Sequence, residues 1–194
     1  MPDLTFCCPD LDAFCLLDRL GLSVTGQQVH DDHAVLACRV LEPDDWCHRC
    51  GAQGVLRDTV VRRLAHVPLG WRPTVLHIRV RRYRCTGCGH VWRQNTELAA
   101  APRAKLSRHA VLWALKSVVL DRSSIARVAA NLGTSWHTVN DAVLAAGCEL
   151  LIADPSRFDG VRVIGVDEHA VRHEALLVRM GVRDHHRRAV VAAG

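Results

Sequence analysis

The spacing of hydrophobic positions changes character several times along the chain. Leu11, Phe14, Leu17 and Leu20 recur at helical intervals and stop at Gly21, which predicts a helix over 11–22. Residues 35–41 read as a short strand, and Glu42-Pro43-Asp44-Asp45 as the turn after it. Two β-branched runs, 59–61 and 75–81, flank Pro68-Leu69-Gly70-Trp71-Arg72-Pro73, whose turn chemistry predicts a hairpin. In the second run Leu76, Ile78 and Val80 share one face, and His77, Arg79 and Arg81 share the other. From Ser107 the period becomes helical. Val111, Leu112, Leu115, Val118 and Val119 predict an amphipathic helix over 107–120. A second helix spans 124–132, with Ile125, Val128, Ala129 and Leu132 inward. A third begins after Gly133-Thr134-Ser135, with Val139, Val143 and Leu150 inward, and ends at Asp154-Pro155. Residues 161–168 read as a short apolar strand ending on Asp167 and Glu168.

Two cysteine pairs interrupt this pattern: Cys47-His-Arg-Cys50 and Cys85-Thr-Gly-Cys88, each followed by a glycine, Gly51 and Gly89. Four thiolates in two Cys-x-x-Cys knuckles are the tetrahedral soft-ligand set that suits structural Zn²⁺. The glycines let the chain turn sharply so that backbone N–H groups approach the sulfurs. The 34 residues between the pairs leave room for a β-hairpin, so the expected element is a Cys₄ zinc ribbon. His48 and His90 adjoin the knuckles and could replace a ligand, but two complete pairs make that unnecessary. Cys7, Cys8, Cys15, Cys38 and Cys148 have no ligand spacing and read as buried or incidental thiols. Nine cysteines is an odd count, and the first eleven residues carry two aspartates and no lysine or arginine, unlike a secretory leader. Reduced thiols beside a zinc site fit the cytoplasm. No apolar run approaches ~18 residues, so no membrane span is predicted.

Charge is distributed unevenly. Residues 1–44 hold eight acids against two arginines, whereas residues 45–93 hold ten arginines against two aspartates. A block of arginine on a metal-held hairpin attracts phosphate backbones and releases their counterions. The expected contacts there are Arg79, Arg81, Arg82 and Arg84, with Arg93 extending the surface. The acidic lead shows no chemistry of its own and reads as a cap on the ribbon or an oligomer contact.

The second and third helices have helix-turn-helix spacing. Ala129 is small where they would touch, Gly133 sits where a left-handed residue is needed, and Val139 fills the wedge. The third helix then offers Ser135, Trp136, His137 and Asn140 near its N-terminus, the end that reaches base edges, and Asn140 could read adenine. Trp136 is either core or stacking surface. These elements give an α+β, multidomain reading: an acidic segment 1–44, a zinc ribbon 45–93 and a helix-turn-helix domain 103–153.

This order, followed by Ile164-Gly165-Val166-Asp167-Glu168-His169, resembles the DDE transposases of the ISL-three insertion-sequence family. So do Val61-Arg62-Arg63-Leu64-Ala65-His66, Gly70-Trp71-Arg72-Pro73, Arg81-Arg82-Tyr83-Arg84-Cys85, Pro102-Arg103-Ala104-Lys105-Leu106-Ser107 and Asp159-Gly160-Val161. The resemblance covers about residues 15–169. It implies a front end that binds double-stranded DNA at transposon terminal inverted repeats, with a homo-oligomer as the further expected partner. It also implies an RNase H-like α/β domain, of which 160–194 would be a stub. Asp167 matches the first of that domain's three carboxylates, which hold two Mg²⁺ or Mn²⁺ ions. Glu174 and Asp184 lack the family's context, and one carboxylate cannot organise two ions, so we expect no strand transfer from this polypeptide alone. A frameshift would account for the departure, since Val182-Arg183-Asp184-His185-His186 can be encoded so that the next frame reads Tyr-Val-Thr-Thr, as the family does. An incomplete sheet would leave 160–194 poorly folded. The alternative function is a zinc-ribbon and helix-turn-helix transcription regulator, against which the strand ending at Asp167 argues.

Overall fold

The computed structural model describes residues 10–153 and 155–162. It is a mixed α+β structure in which a five-stranded sheet precedes a group of helices. The described residues through Leu151 belong to one compact unit, and those from Ile152 onward to a second. The described residues of the expected segments 1–44 and 45–93, and residues 103–151, therefore share one unit. Asp167 and nearly all of the strand expected over 161–168 lie outside the described residues, as does the tail expected to be poorly folded.

The helix expected over 11–22 forms only as α1 (Leu11–Phe14), capped by the Asp10 carboxylate, which accepts from the N–H groups of Asp12 and Ala13. Leu16 then takes a left-handed φ of 57°, and Asp18–Leu20 makes a 3₁₀ turn. Packing overrides the helical spacing here. Leu17, Leu20 and Leu22 are at most 2% exposed against the sheet, while Phe14 is 80% exposed.

Four long strands follow: β1 (Leu22–Val29), β2 (Ala34–Val40), β3 (Gly54–Leu69) and β4 (Arg72–Cys85), with a short β5 (Val91–Arg93). Their order is β1-β2-β4-β3, and β5 also pairs with β4. β1–β2, β3–β4 and β4–β5 are antiparallel, whereas β2 runs parallel to β4. Residues 22–29 and 34–40 of the acidic lead supply two strands of this sheet, β1 and β2. One edge of β4 is shared end to end, by β2 along Thr74–Arg79 and by β5 along Arg82–Arg84. Gln94 bridges that junction, with its side-chain amide donating to the Glu42 carbonyl at 2.6 Å.

The inner face of the sheet carries Leu22, Leu36, Cys38, Leu64, Leu76, Ile78 and Val80, closed by Cys15, Leu17, Leu20, Ala99 and Ala100. Arg62 also points inward, opposite Ile78. Its guanidinium straps the connector after β5, donating to Thr96 Oγ1 at 2.6 Å and to the Ala101 carbonyl at 2.7 Å. Cys15 and Cys38 are buried thiols, as expected, and burial pushes Cys38 up to about 12.

Three helices follow, α2 (Arg108–Val119), α3 (Ile125–Asn131) and α4 (Trp136–Gly147). Ser107, Ser124 and Ser135 cap them, each hydroxyl accepting the N–H three residues on. Gly133 has a φ of +60°, which lets the chain leave α3 and turn into α4. Val128, Ala129, Leu132, Val139 and Val143 are buried as expected. In α2 Leu115 is buried as expected, with Val111 and Val118 packed beside it, whereas Leu112 and Val119 are exposed and the small Ala110 and Ala114 take the inward positions. Leu150, expected inward, is also exposed, because α4 ends at Gly147 and the chain widens into a π turn over Cys148–Ile152.

The helices are fixed to the sheet at β3. Ala65 N–H donates to the Lys105 carbonyl and Ser107 N–H to the Ala65 carbonyl, extending the sheet by one bridge. The wholly buried His66 completes the joint. Its Nε2–H donates to the Cys15 carbonyl at 3.0 Å, which leaves Nδ1 to accept from the Ser107 hydroxyl at 2.8 Å. Burial holds its pKa below the usual histidine value.

Candidate functional site

Each knuckle is closed by the same long-range backbone bond, from Cys47 N–H to the Ala52 carbonyl and from Cys85 N–H to the His90 carbonyl, both 2.8–2.9 Å. Gly51 and Gly89 follow with φ of +70° and +71°, values an L side chain resists. The turns aim N–H groups at sulfur: Arg49 at Cys47 (3.5 Å), and Gly87 and Cys88 at Cys85 (both 3.3 Å). The N–H of Cys88 leads in pulling the Cys85 thiol down to about 6, which favours the thiolate.

All four sulfurs lie within 4.8 Å of one another, with Cys47–Cys88 at 3.6 Å and Cys50–Cys85 at 3.4 Å. Tetrahedral Zn–S bonds of ~2.3 Å would place sulfurs ~3.8 Å apart, so the set fits a metal ion such as zinc. Cys47 and Cys85 are buried, whereas Cys50 and Cys88 face solvent. Neither histidine belongs to the cluster, and His48 Nε2 is engaged by Asp44 at 2.7 Å. Trp92 backs the site, stacking on Tyr83 and His90 and donating its indole N–H to the Asp44 carbonyl at 2.7 Å. Its ring lies so close over Gly54 that any Cβ there would fall 2.3 Å from a ring carbon.

β4 exchanges its buried face as it approaches this site. Leu76, Ile78 and Val80 are buried on one side, then Tyr83 and Cys85 on the other. The expected row of arginines is thereby split. Arg79 and Arg81 stand exposed on the open face, while alternation turns Arg82 and Arg84 to the opposite side. Arg82 is also committed to Asp58, gripping both carboxylate oxygens, and that pairing holds Asp58 below the ordinary carboxylate range. Arg84 is exposed beside Val55.

At the start of α4, Trp136 is 46% exposed and stands edge-on to His137, so it is surface and not core. His137 is exposed and Asn140 half-buried. The Ser135 hydroxyl is occupied by its cap and by Thr138 Oγ1 at 2.8 Å, which makes it a positioning group. A groove of about 440 Å³ runs between this end of α4 and the 103–106 loop, bringing Arg103 and Lys105 beside His137. Sequence reasoning missed both as partners of α4. It also missed Arg39, which β2 sets directly beside Arg79. Strand alternation over 35–41 marked Arg39 as outward, but nothing local marked its neighbour.

Comparison with known proteins returned no matching family model, no matching curated protein and no matching solved structure.

Proposed function

We propose that the chain is a sequence-recognising DNA-binding protein, built from a zinc ribbon and a helix-turn-helix pair. We further propose that it serves as the front end of an insertion-sequence transposase of the kind it resembles. The observation carrying the reading is α4. It is a twelve-residue helix, capped at its start, that presents Trp136 and His137 outward with Asn140 half-buried on the same side, while Val139 and Val143 hold it against α2 and α3. About 18 Å of helix suits a major groove ~12 Å wide, with the N-terminal end toward the bases. Asn140 offers a bidentate pairing to adenine, and Trp136 and His137 offer apolar and hydrogen-bonding edges. Arg103 and Lys105, flanking the same end, supply the phosphate contacts that fix register.

Cys47, Cys50, Cys85 and Cys88 would hold the zinc ion, which when bound contributes folding energy to the hairpin end and no chemistry to a substrate. Terminal inverted repeats as the target rest on the sequence resemblance. So does catalysis through Asp167, which lies outside the described residues. Footprinting of the zinc-loaded protein on the ends of a neighbouring insertion element tests the reading. Protection at the inverted repeats is expected. Protection only at promoters would replace the transposase reading with the regulator, and no protection on any duplex would overturn both.

A further inference from the structure

The open face of the sheet carries an arginine cluster that draws on two strands distant in sequence. Arg39 on β2 is the register partner of Arg79 on β4, and Arg81 lies two residues on, opposite Thr59 of β3. Neighbouring strands stand only ~4.8 Å apart and alternate residues ~6.7 Å apart, so three cations share one small patch. Arg39, Arg79 and Arg81 line a concavity of about 320 Å³ together with Thr25, Thr59 and Gln94. Among the described residues, none of the three guanidiniums has a carboxylate or carbonyl partner. The contrast with their neighbours is direct. Arg82 on the opposite face is gripped by Asp58, and the inward Arg62 is bonded to Thr96 and Ala101. Arg39, Arg79 and Arg81, by contrast, stand exposed and crowded with no acidic partner among the described residues. That arrangement is self-repelling unless an anion sits among them.

We infer that this concavity is a phosphodiester-binding site: the sheet face holds a DNA backbone as a second contact surface, distinct from α4. The inference rests on the DNA-binding reading and deepens it. Guanidinium forks pair with phosphate oxygens bidentately, and Thr25 and Thr59 add neutral hydroxyls at the same mouth. The site reads no bases, so it adds affinity and salt dependence without sequence preference.

The test is fluorescence anisotropy of zinc-loaded protein on a mixed-sequence duplex across a salt series. Arg39→Gln should lower the slope of log affinity against log salt by about 1, and the combined substitution of Arg39, Arg79 and Arg81 by Gln by about 3. Arg19→Gln, in the segment closing the inner face, should leave the slope unchanged. Circular dichroism would confirm that these surface variants keep their fold. In a Trp136→Ala, Asn140→Ala background the Arg39 effect should persist, because the two surfaces act separately. If wild type binds DNA but the triple variant binds with the same slope, this inference falls while the DNA-binding reading survives. If wild type binds a polyglutamate peptide through these arginines and no duplex, both fall and the site belongs to an acidic protein.

Discussion

Replacing His66 by alanine cuts the joint that fixes the helices to the sheet. The imidazole links the Cys15 carbonyl to the Ser107 hydroxyl, and Ser107 in turn caps α2 by accepting from the Ala110 N–H at 3.1 Å. Two buried hydrogen bonds contribute about 1 kcal/mol each, and the orphaned Cys15 carbonyl costs about 1–3 more. The emptied volume adds roughly 1–2, so unfolding free energy should fall by about 4–7 kcal/mol. Ser107→Ala should cost about 2–3 kcal/mol through the lost cap and the unpaired Nδ1. Because both act on one chain of bonds, the double variant should lose about 1–2 kcal/mol less than the singles combined. Urea unfolding of the metal-loaded protein measures all three. Additivity within about 0.5 kcal/mol would refute the linked network. Acid sensitivity gives a second readout. Burial lowers the folded pKa of His66, so the unfolded chain takes that proton more readily. The stabilisation is complete above about pH 6.5 and is lost as pH falls toward the folded value. His66→Ala should therefore lose less stability than wild type between about pH 7 and 5, and an equal loss would contradict the assignment.

Three other substitutions probe separate parts of the fold. Gly54→Ala must displace the Trp92 indole from its seat and its bond to Asp44, costing about 1–3 kcal/mol and shifting tryptophan fluorescence; an unchanged spectrum and midpoint would count against that packing. Cys85→Ser should abolish retention of one metal ion per chain and lower the unfolding midpoint, read by elemental analysis and urea titration, while the same change at Cys38 should leave metal content intact. Trp71, at the hairpin tip, combines a left-handed φ of 67° with complete exposure, so Trp71→Gly should raise stability by about 1 kcal/mol, and a destabilised variant would show that the indole packs on something.

What could be read from the chain follows the range of the interactions involved. The metal cluster was legible because both knuckles are set by four-residue spacings, and only their convergence needed the hairpin. The three helices were legible because Ser107, Ser124, Ser135 and Gly133 mark their ends through local hydrogen bonds and backbone conformation. β1 was missed: Leu22–Val29 is mostly polar, half-exposed and broken by an irregularity between Val24 and Gly26, so it lacks alternation. The parallel pairing of β2 with β4 joins segments about forty residues apart, and no local signal encodes it. The placement of the arginines was legible only in part, for a related reason. Alternation along β4 was correct, but the change of buried face between Val80 and Tyr83 depends on Trp92 and Cys47 arriving from elsewhere.

The most direct test of the account is the affinity of the zinc-loaded protein for a mixed-sequence duplex, measured before and after chelation and again with Asn140→Ala. The account predicts salt-sensitive binding that is lost when the metal is removed and weakened by the substitution. Binding that survives chelation unchanged, or no binding to duplex at low salt, would contradict it.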